Sequence, residues 1–230
     1  MSLLTADDLQ AVLLSLKVAA VATLATFPAA LAVAWALARG RFPGRALLDA
    51  LTHLPLVLPP VASGYVLLVL LGHRGLLGAP LERVGVVFAF RWTGAALAAG
   101  VMAFPLLVRP MRLAIEAIDP EVEEAARTLG AAPVARFLRV TAPLAAPGIV
   151  AGLVLGFAKA LGEFGATITF VAAIPGDTLT LPIAIYQATQ TPGGEARAVA
   201  LCAIAATIAI AAVIVSDRAS RRAVARRARQ

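Results

Sequence analysis

Charged residues are scarce in this chain, and two small groups of them have a spacing that could do chemistry. The first is Glu123-Glu124-Ala125-Ala126-Arg127-Thr128-Leu129-Gly130, followed by Val140-Thr141-Ala142-Pro143. It is a compact, charged, helix-forming segment between two long apolar runs. Glu123, Glu124 and Arg127 can pair with charges around a groove on another protein. The paired Ala125-Ala126 leaves a low surface that a second backbone can approach. The chemistry this predicts is docking. The second group is Lys159 and Glu163, four residues apart in an apolar run and therefore on one helical face. Either charge alone is expensive at membrane depth. Two readings stand: a structural pair that neutralises itself, or a pair that faces a cavity between subunits and helps to gate it. Gly162 and Gly165 loosen the helix around Glu163, and Thr167 and Thr169 supply hydroxyls a turn further on. Lys17 is a further cation in an apolar run, either snorkelling outward or lining a path.

Other chemistries lack their residues. Cys202 is the single cysteine, so an intrachain disulfide or multi-cysteine metal site is impossible, and it is expected to serve as packing. His53 and His73 lie near loops without clustered carboxylates, which argues against metal binding or catalysis by either. No Gly-x-x-x-x-Gly-Lys-Ser/Thr loop is present, so the chain has no phosphate cradle of that kind for ATP. An intramembrane enzyme would need a nucleophile–base pair or metal ligands at membrane depth, and none is found.

The elements that must position these groups are membrane spans. Hydrophobic residues make up 60% of the chain and charged residues 14%, outside the range of soluble domains. The chain reads as one polytopic membrane domain over residues 1–230. The first apolar run is too long for a signal-peptide core and is expected to be retained. Five segments approach the roughly 20 residues needed to cross hydrocarbon: Leu9–Ala38, Leu54–Leu71, Val84–Val108, Pro147–Ala172 and Val199–Val215. Thr5 is positioned to cap the first, with Asp7 and Asp8 in its opening turn. Arg91 interrupts the third, whose membrane part is expected from about Trp92. Breakers are dense: Pro28, Pro55, Pro59, Pro60, Gly64, Pro105, Gly152, Gly156, Gly162 and Gly165. Freed backbone groups need partners or a wet cavity, which favours a translocation path; tight packing of small residues is the competing reading.

The net charge of +7 follows the spans rather than a nucleic-acid footprint. Fourteen arginines follow spans one, three and five, whereas Arg74, Arg83, Arg91 and Arg197 are alone on the other face. The positive-inside rule puts the N-terminus outside and the C-terminus in the cytosol. The segment of about 119–143 is then cytosolic. The tail of residues 217–230, with its arginines Arg218–Arg229, is read as an anchor on anionic lipid. Asp119-Pro120-Glu121 supplies an N-cap, a first-position proline and first-turn acids, and Gly130 a stop, so a helix is expected over Pro120–Leu129. Fewer than three turns are marginal in water, so something must hold them. A second short helix is expected over Pro133–Arg139, before Pro143 and Pro147. Outside, Leu179–Ala188 is amphipathic and too short to span.

Glu-Ala-Ala, three residues, Gly130, nine residues, Val140 and then Ala142-Pro143 resembles the cytosolic signature of binding-protein-dependent ABC importer permeases, with Ala142 where that signature has Leu. The Gly162-Glu163-Phe164-Gly165-Ala166-Thr167 run resembles the molybdate, tungstate and sulfate branch. Ser15–Ala19, Leu58–Val61, Gly64-Tyr65, Phe104–Leu106 and Thr180–Tyr186 are similar to molybdate permeases in particular. The resemblance implies an all-α membrane protein: a type I ABC importer transmembrane domain of about five helices with a cytosolic coupling helix, in the bacterial plasma (inner) membrane. It implies a homodimer, two cytosolic ABC ATPase subunits that use ATP and Mg, and an extracytoplasmic molybdate-binding protein. The chain itself is expected to bind no cofactor, metal or nucleic acid and to hold no enzymatic activity. Glu123, Glu124, Ala125, Ala126, Arg127 and Gly130 would carry ATPase coupling. Lys17, Lys159, Gly162, Glu163, Gly165, Thr167 and Thr169 would belong to the path or gate. A tetrahedral oxyanion wants neutral donors and free N–H groups, so Glu163 is not assigned as a ligand. The alternatives are a tungstate or sulfate/thiosulfate permease, or an ion-driven transporter or channel. The last would show an inverted repeat or several membrane acids, and neither is found.

Overall fold

The computed structural model describes residues 4–227, and side chains in the last helix as far as residue 212 and at Ile214. The described residues form eleven α-helices and one turn of π-helix. They are α1 (Ala6–Arg39), α2 (Arg45–Val57), α3 (Pro60–Leu71), α4 (Gly78–Arg83), α5 (Trp92–Glu116), α6 (Pro120–Thr128) and α7 (Pro133–Arg136). The π-turn (Phe137–Thr141), α8 (Ala142–Leu161), α9 (Gly165–Val171), α10 (Leu181–Gln190) and α11 (Glu195–Arg227) complete them. The expected anchor in the arginine tail lies outside the residues whose side chains are described.

Among the described residues four helical stretches are long and apolar enough to cross a membrane: Ala6–Arg39, Trp92–Glu116, the continuous Pro133–Leu161 and Glu195–Ala212. The pair α2 and α3 makes a fifth if its two halves count as one crossing. Contacts fix the directions. Lys17 meets Trp92, and Arg39 meets Ile118, so α1 and α5 run parallel. Gly148 faces Pro110, whereas Gly156 faces Leu107, so α8 runs against them. With the N-terminus outside, α1, α5 and α11 descend to the cytosol and α3 and α8 climb back.

Small residues make this packing possible. A Cβ on Gly152 would lie 2.7 Å from the Leu107 carbonyl oxygen, and one on Gly156 would lie 2.6 Å from Leu107 Cγ. Further toward the outer end of α5, Ala95, Ala96, Ala98, Ala99 and Ala103 are buried in the outer core. Without a hydrophobic drive between helices in lipid, close backbone approach supplies the attraction. The packing reading therefore holds for Gly152 and Gly156.

Several expected boundaries move. The second span is not one continuous Leu54–Leu71 helix. It starts at Arg45 and bends by 113° between α2 and α3. The cause is Pro59-Pro60: each removes an N–H donor, and the residue before a proline is pushed out of the helical region. The third helix starts at Trp92 but continues past Val108 to Glu116. The fourth begins at Ala142, with Pro143 near its N-terminus and Pro147 inside it, and it breaks at Gly162–Phe164 before α9. The short Pro133–Arg139 helix stops at Arg136 and passes through the π-turn into α8 without a gap. Cys202, expected to pack, is exposed.

Candidate functional site

The cytosolic segment folds as its end signals dictate. Asp119 caps α6 by accepting the Glu121 N–H at 2.9 Å. At the other end Gly130 sits at φ +82°, the left-handed region that glycine enters without strain. Its N–H reaches the Arg127 carbonyl, and the Ala131 N–H reaches the Ala126 carbonyl, each at 3.0 Å. That reciprocal pair is a Schellman stop.

The charged residues of α6 divide between two faces. Glu124 and Arg127 pair with each other at the surface, both more than half exposed. The Glu124 hydrogen bond raises the Arg127 guanidinium further above its ordinary value. Ala125 is exposed beside them, Ala126 is half-buried, and Leu129 is 87% exposed. Glu123 turns the other way. Its Oε1 accepts the Thr141 hydroxyl at 2.6 Å, and its Oε2 lies 3.0 Å from Arg39 Nε. The latter is an ion-pair contact rather than an aligned hydrogen bond. Arg39 also donates from its other guanidinium end to the Ile118 carbonyl at 2.8 Å. Glu123 and Glu124 are neighbours of identical chemistry, and nothing in their local sequence separates the inward one from the outward one.

At membrane depth the Lys159–Glu163 pair forms, with Lys159 Nζ 2.5 Å from Glu163 Oε2. Glu163 does not share the helix with Lys159, as the spacing implied. The helix ends at Leu161, and Glu163 lies in the break. Its other oxygen accepts the Ala166 N–H at 3.0 Å in the first turn of α9. One carboxylate, its side chain 2% exposed, thus ties both halves of a broken span. The Lys159 side chain is 29% exposed, so the pair is open at its cationic end.

The break lies beside the other one. A Cβ on Gly165 would come within 2.7 Å of Pro60 Cβ, and one on Gly64 within 2.5 Å of the Ala166 carbonyl oxygen. The start of α3 and the start of α9 therefore lie together. Gly162 is exposed, and a Cβ there would meet nothing closer than 3.7 Å. Thr169 donates to the Gly165 carbonyl at 2.8 Å, and Thr167 is buried. The Thr169 proton is already committed within its helix. Lys17 sits apart from this group: its Nζ is 3.6 Å above the centre of the Trp92 ring, at the outer end of α5. That contact is a cation–π pair between α1 and the start of α5.

Further charged links were not legible in the sequence. Near the cytosolic ends of α2 and α5, Arg112 bridges Asp49 at 2.9 Å and Glu116 at 2.8 Å. His53 Nδ1 lies 2.9 Å from the Asp49 carbonyl oxygen, and His73 lies 3.1 Å from Glu82. Among the described residues no group of three or more His, Cys, Asp or Glu could hold a metal ion.

Comparison with known proteins gives a consistent result. Residues 17–230 match the family described as the binding-protein-dependent transport system inner membrane component. Over 216 residues the chain is 54% identical to the molybdenum transport system permease protein ModB of Escherichia coli strain K12, covering 94% of each chain. It is 49% identical to ModB of Haemophilus influenzae, again over 94% of each. A solved bacterial ABC transporter involved in the import of alginate matches with a TM-score of 0.76 at 20% identity. That match covers 95% of this chain and 80% of that one, and it shows a shared fold.

Proposed function

The chain belongs to the inner-membrane components of binding-protein-dependent transport systems, and we propose that it forms the membrane path of an ATP-driven importer of molybdate. In this reading it is a multi-pass inner-membrane protein that works as a homodimer. Each copy is gripped by a cytosolic ATPase, and an extracytoplasmic molybdate-binding protein delivers the anion. ATP and Mg are consumed by the ATPase subunits, and no covalent chemistry occurs in this chain.

The observation that carries the reading is the two-faced α6 helix. Its inner face is locked to the bundle through Glu123, while Glu124, Ala125, Arg127 and Leu129 are presented outward. A helix of nine residues held this way is a handle. When ATP draws two ATPases together, the handles move and the path opens outward; hydrolysis returns it to face inward. The molybdate assignment draws on the identity with the two ModB proteins and on the absence of a fixed, unpaired cation at the break, since Lys159 is neutralised by Glu163. A path that released its anion into the cytosol gains from that neutrality.

The test is reconstitution of the chain with its ATPase in liposomes. ATP hydrolysis stimulated by the loaded molybdate-binding protein, with molybdate accumulating inside, is the expected result. Uptake that persists without any ATPase would overturn it in favour of an ion-driven transporter. Stimulation by sulfate-loaded receptor alone would move the substrate to the sulfate branch.

A further inference from the structure

Glu123 ties α6 to two other elements, the end of α1 and the start of α8. Arg39 is the last residue of α1, Thr141 is the last residue of the π-turn that feeds α8, and Glu123 is in the middle of α6. The carboxylate holds one partner on each oxygen, at 3.0 and 2.6 Å. Arg39 extends the link to the Ile118 carbonyl at the turn between α5 and α6. The site is sheltered: the Arg39 and Glu123 side chains are 18% and 17% exposed, and Thr141 is buried. Little else attaches α6 to the protein. None of its nine residues is buried, and its remaining side-chain hydrogen bonds and ion pairs stay within the segment 119–128.

The π-turn adds a second observation. A π-turn inserts extra backbone into a helix, is rare, and is frequent at functional sites. Here it lies between α7 and α8, and its terminal hydroxyl is held by Glu123. Any displacement of α6 must therefore either carry the start of α8 and the end of α1 along with it or break these bonds.

We infer that Glu123 is the positioning residue through which movement of α6 is delivered to α1 and α8, distinct from Glu124 and Arg127, which face the motor. This rests on the importer reading above and names the internal half of its coupling. The carboxylate serves as a two-pronged key: charge holds α1, and hydrogen bonding holds the π-turn.

The test uses the full complex in liposomes, with the molybdate-binding protein loaded, counting molybdate taken up and phosphate released in the same vesicles. Glu123→Ala is expected to keep nucleotide hydrolysis while the molybdate moved per ATP falls about tenfold, within the usual range of coupling between linked sites. Glu123→Gln keeps an acceptor for Thr141 and loses the attraction to Arg39, so its ratio falls between the two. Reversal of the charges in Arg39→Glu with Glu123→Arg is expected to recover part of the ratio. Glu121→Ala, on the same helix but outside the link, leaves it unchanged. If Glu123→Ala does not assemble, Thr141→Val and Arg39→Met are measured in its place. A wild-type ratio in Glu123→Ala, or in both substitutes, overturns the inference. So does a fall in hydrolysis and uptake in equal proportion, which marks lost docking or lost protein. Wild-type uptake without ATP dependence would instead defeat the importer reading itself.

Discussion

Asp8 and Arg197, 189 residues apart, form a forked ion pair at the outer end of the bundle. Arg197 Nε lies 3.0 Å from both carboxylate oxygens, and its Nη2 lies 2.6 Å from Oδ1. Asp8 also accepts the Thr5 N–H at 2.8 Å, so the residue that closes the α1 capping box also fastens α11 to α1. The Asp8 side chain is 1% exposed and that of Arg197 31%. Breaking a fully buried pair costs about 3–5 kcal/mol, and partial solvation of Arg197 lowers this to about 2 kcal/mol for Asp8→Asn. The expected outcome is a fall of several degrees in the thermal midpoint of the detergent-solubilised protein. Arg197→Lys is also expected to fall, because an ammonium cannot reproduce the fork.

Lys159 and Glu163 should behave as a coupled pair. Lys159→Met leaves a carboxylate buried without its cation and is expected to destabilise by about 3 kcal/mol. Glu163→Gln alone costs less, since the amide oxygen still accepts the Ala166 N–H. The double variant should be more stable than the sum of the single losses implies. A double-mutant cycle on unfolding midpoints measures this, and simple additivity would show the two to be independent.

The glycines at the two breaks should respond in opposite senses. Gly64→Ala places a methyl 2.5 Å from the Ala166 carbonyl oxygen, a backbone atom that cannot swing aside. Overpacking of this kind costs about 1–3 kcal/mol. Gly162→Ala meets only the Ala158 carbonyl oxygen, at an ordinary contact distance of 3.7 Å and a negative φ of −89°, and is expected to be neutral or slightly stabilising. Comparing the yield and melting of the two variants checks the packing between α3 and α9.

The outward face of α6 should be separable from folding. Glu124→Ala and Arg127→Ala remove an exposed pair, and the thermal midpoint of the isolated chain is expected to stay unchanged. Stimulated ATPase activity in the reconstituted complex should nevertheless be lost. Gly130→Ala forces an alanine to φ +82°, at about 1 kcal/mol, and should fray the end of α6 without touching the bundle. Circular dichroism of the chain and ATPase assays of the complex separate these effects.

Local signals carried the cytosolic segment. Asp119-Pro120 and Gly130 bound α6 to within a residue, because caps act through neighbouring backbone groups. Thr5 marked the start of α1 in the same way, whereas the start of α5 at Trp92 was marked by the charge of Arg91 interrupting the apolar run. The prolines at 59 and 60 announced a break but not its 113° angle, which packing of α3 on α9 sets. Spacing put Glu163 on a helix with Lys159, whereas the glycines on either side end that helix first. The Asp8–Arg197 and Arg39–Glu123 pairs were invisible, since each joins segments far apart in the chain. The roles of Glu123 and Glu124 diverge only through which side of α6 meets the bundle.

The meeting of Pro60 with Gly165 has a mechanical corollary. The twelve residues of α3 and the seven of α9 are cut off from the longer helices at the same place, and they lie flat against one another through Gly64. Phe170 and Val171 of α9 are fully buried in the outer core beside α5, and Leu67, Leu68 and Leu71 of α3 pack on that core, so the two short helices are keyed into the long ones along their whole length.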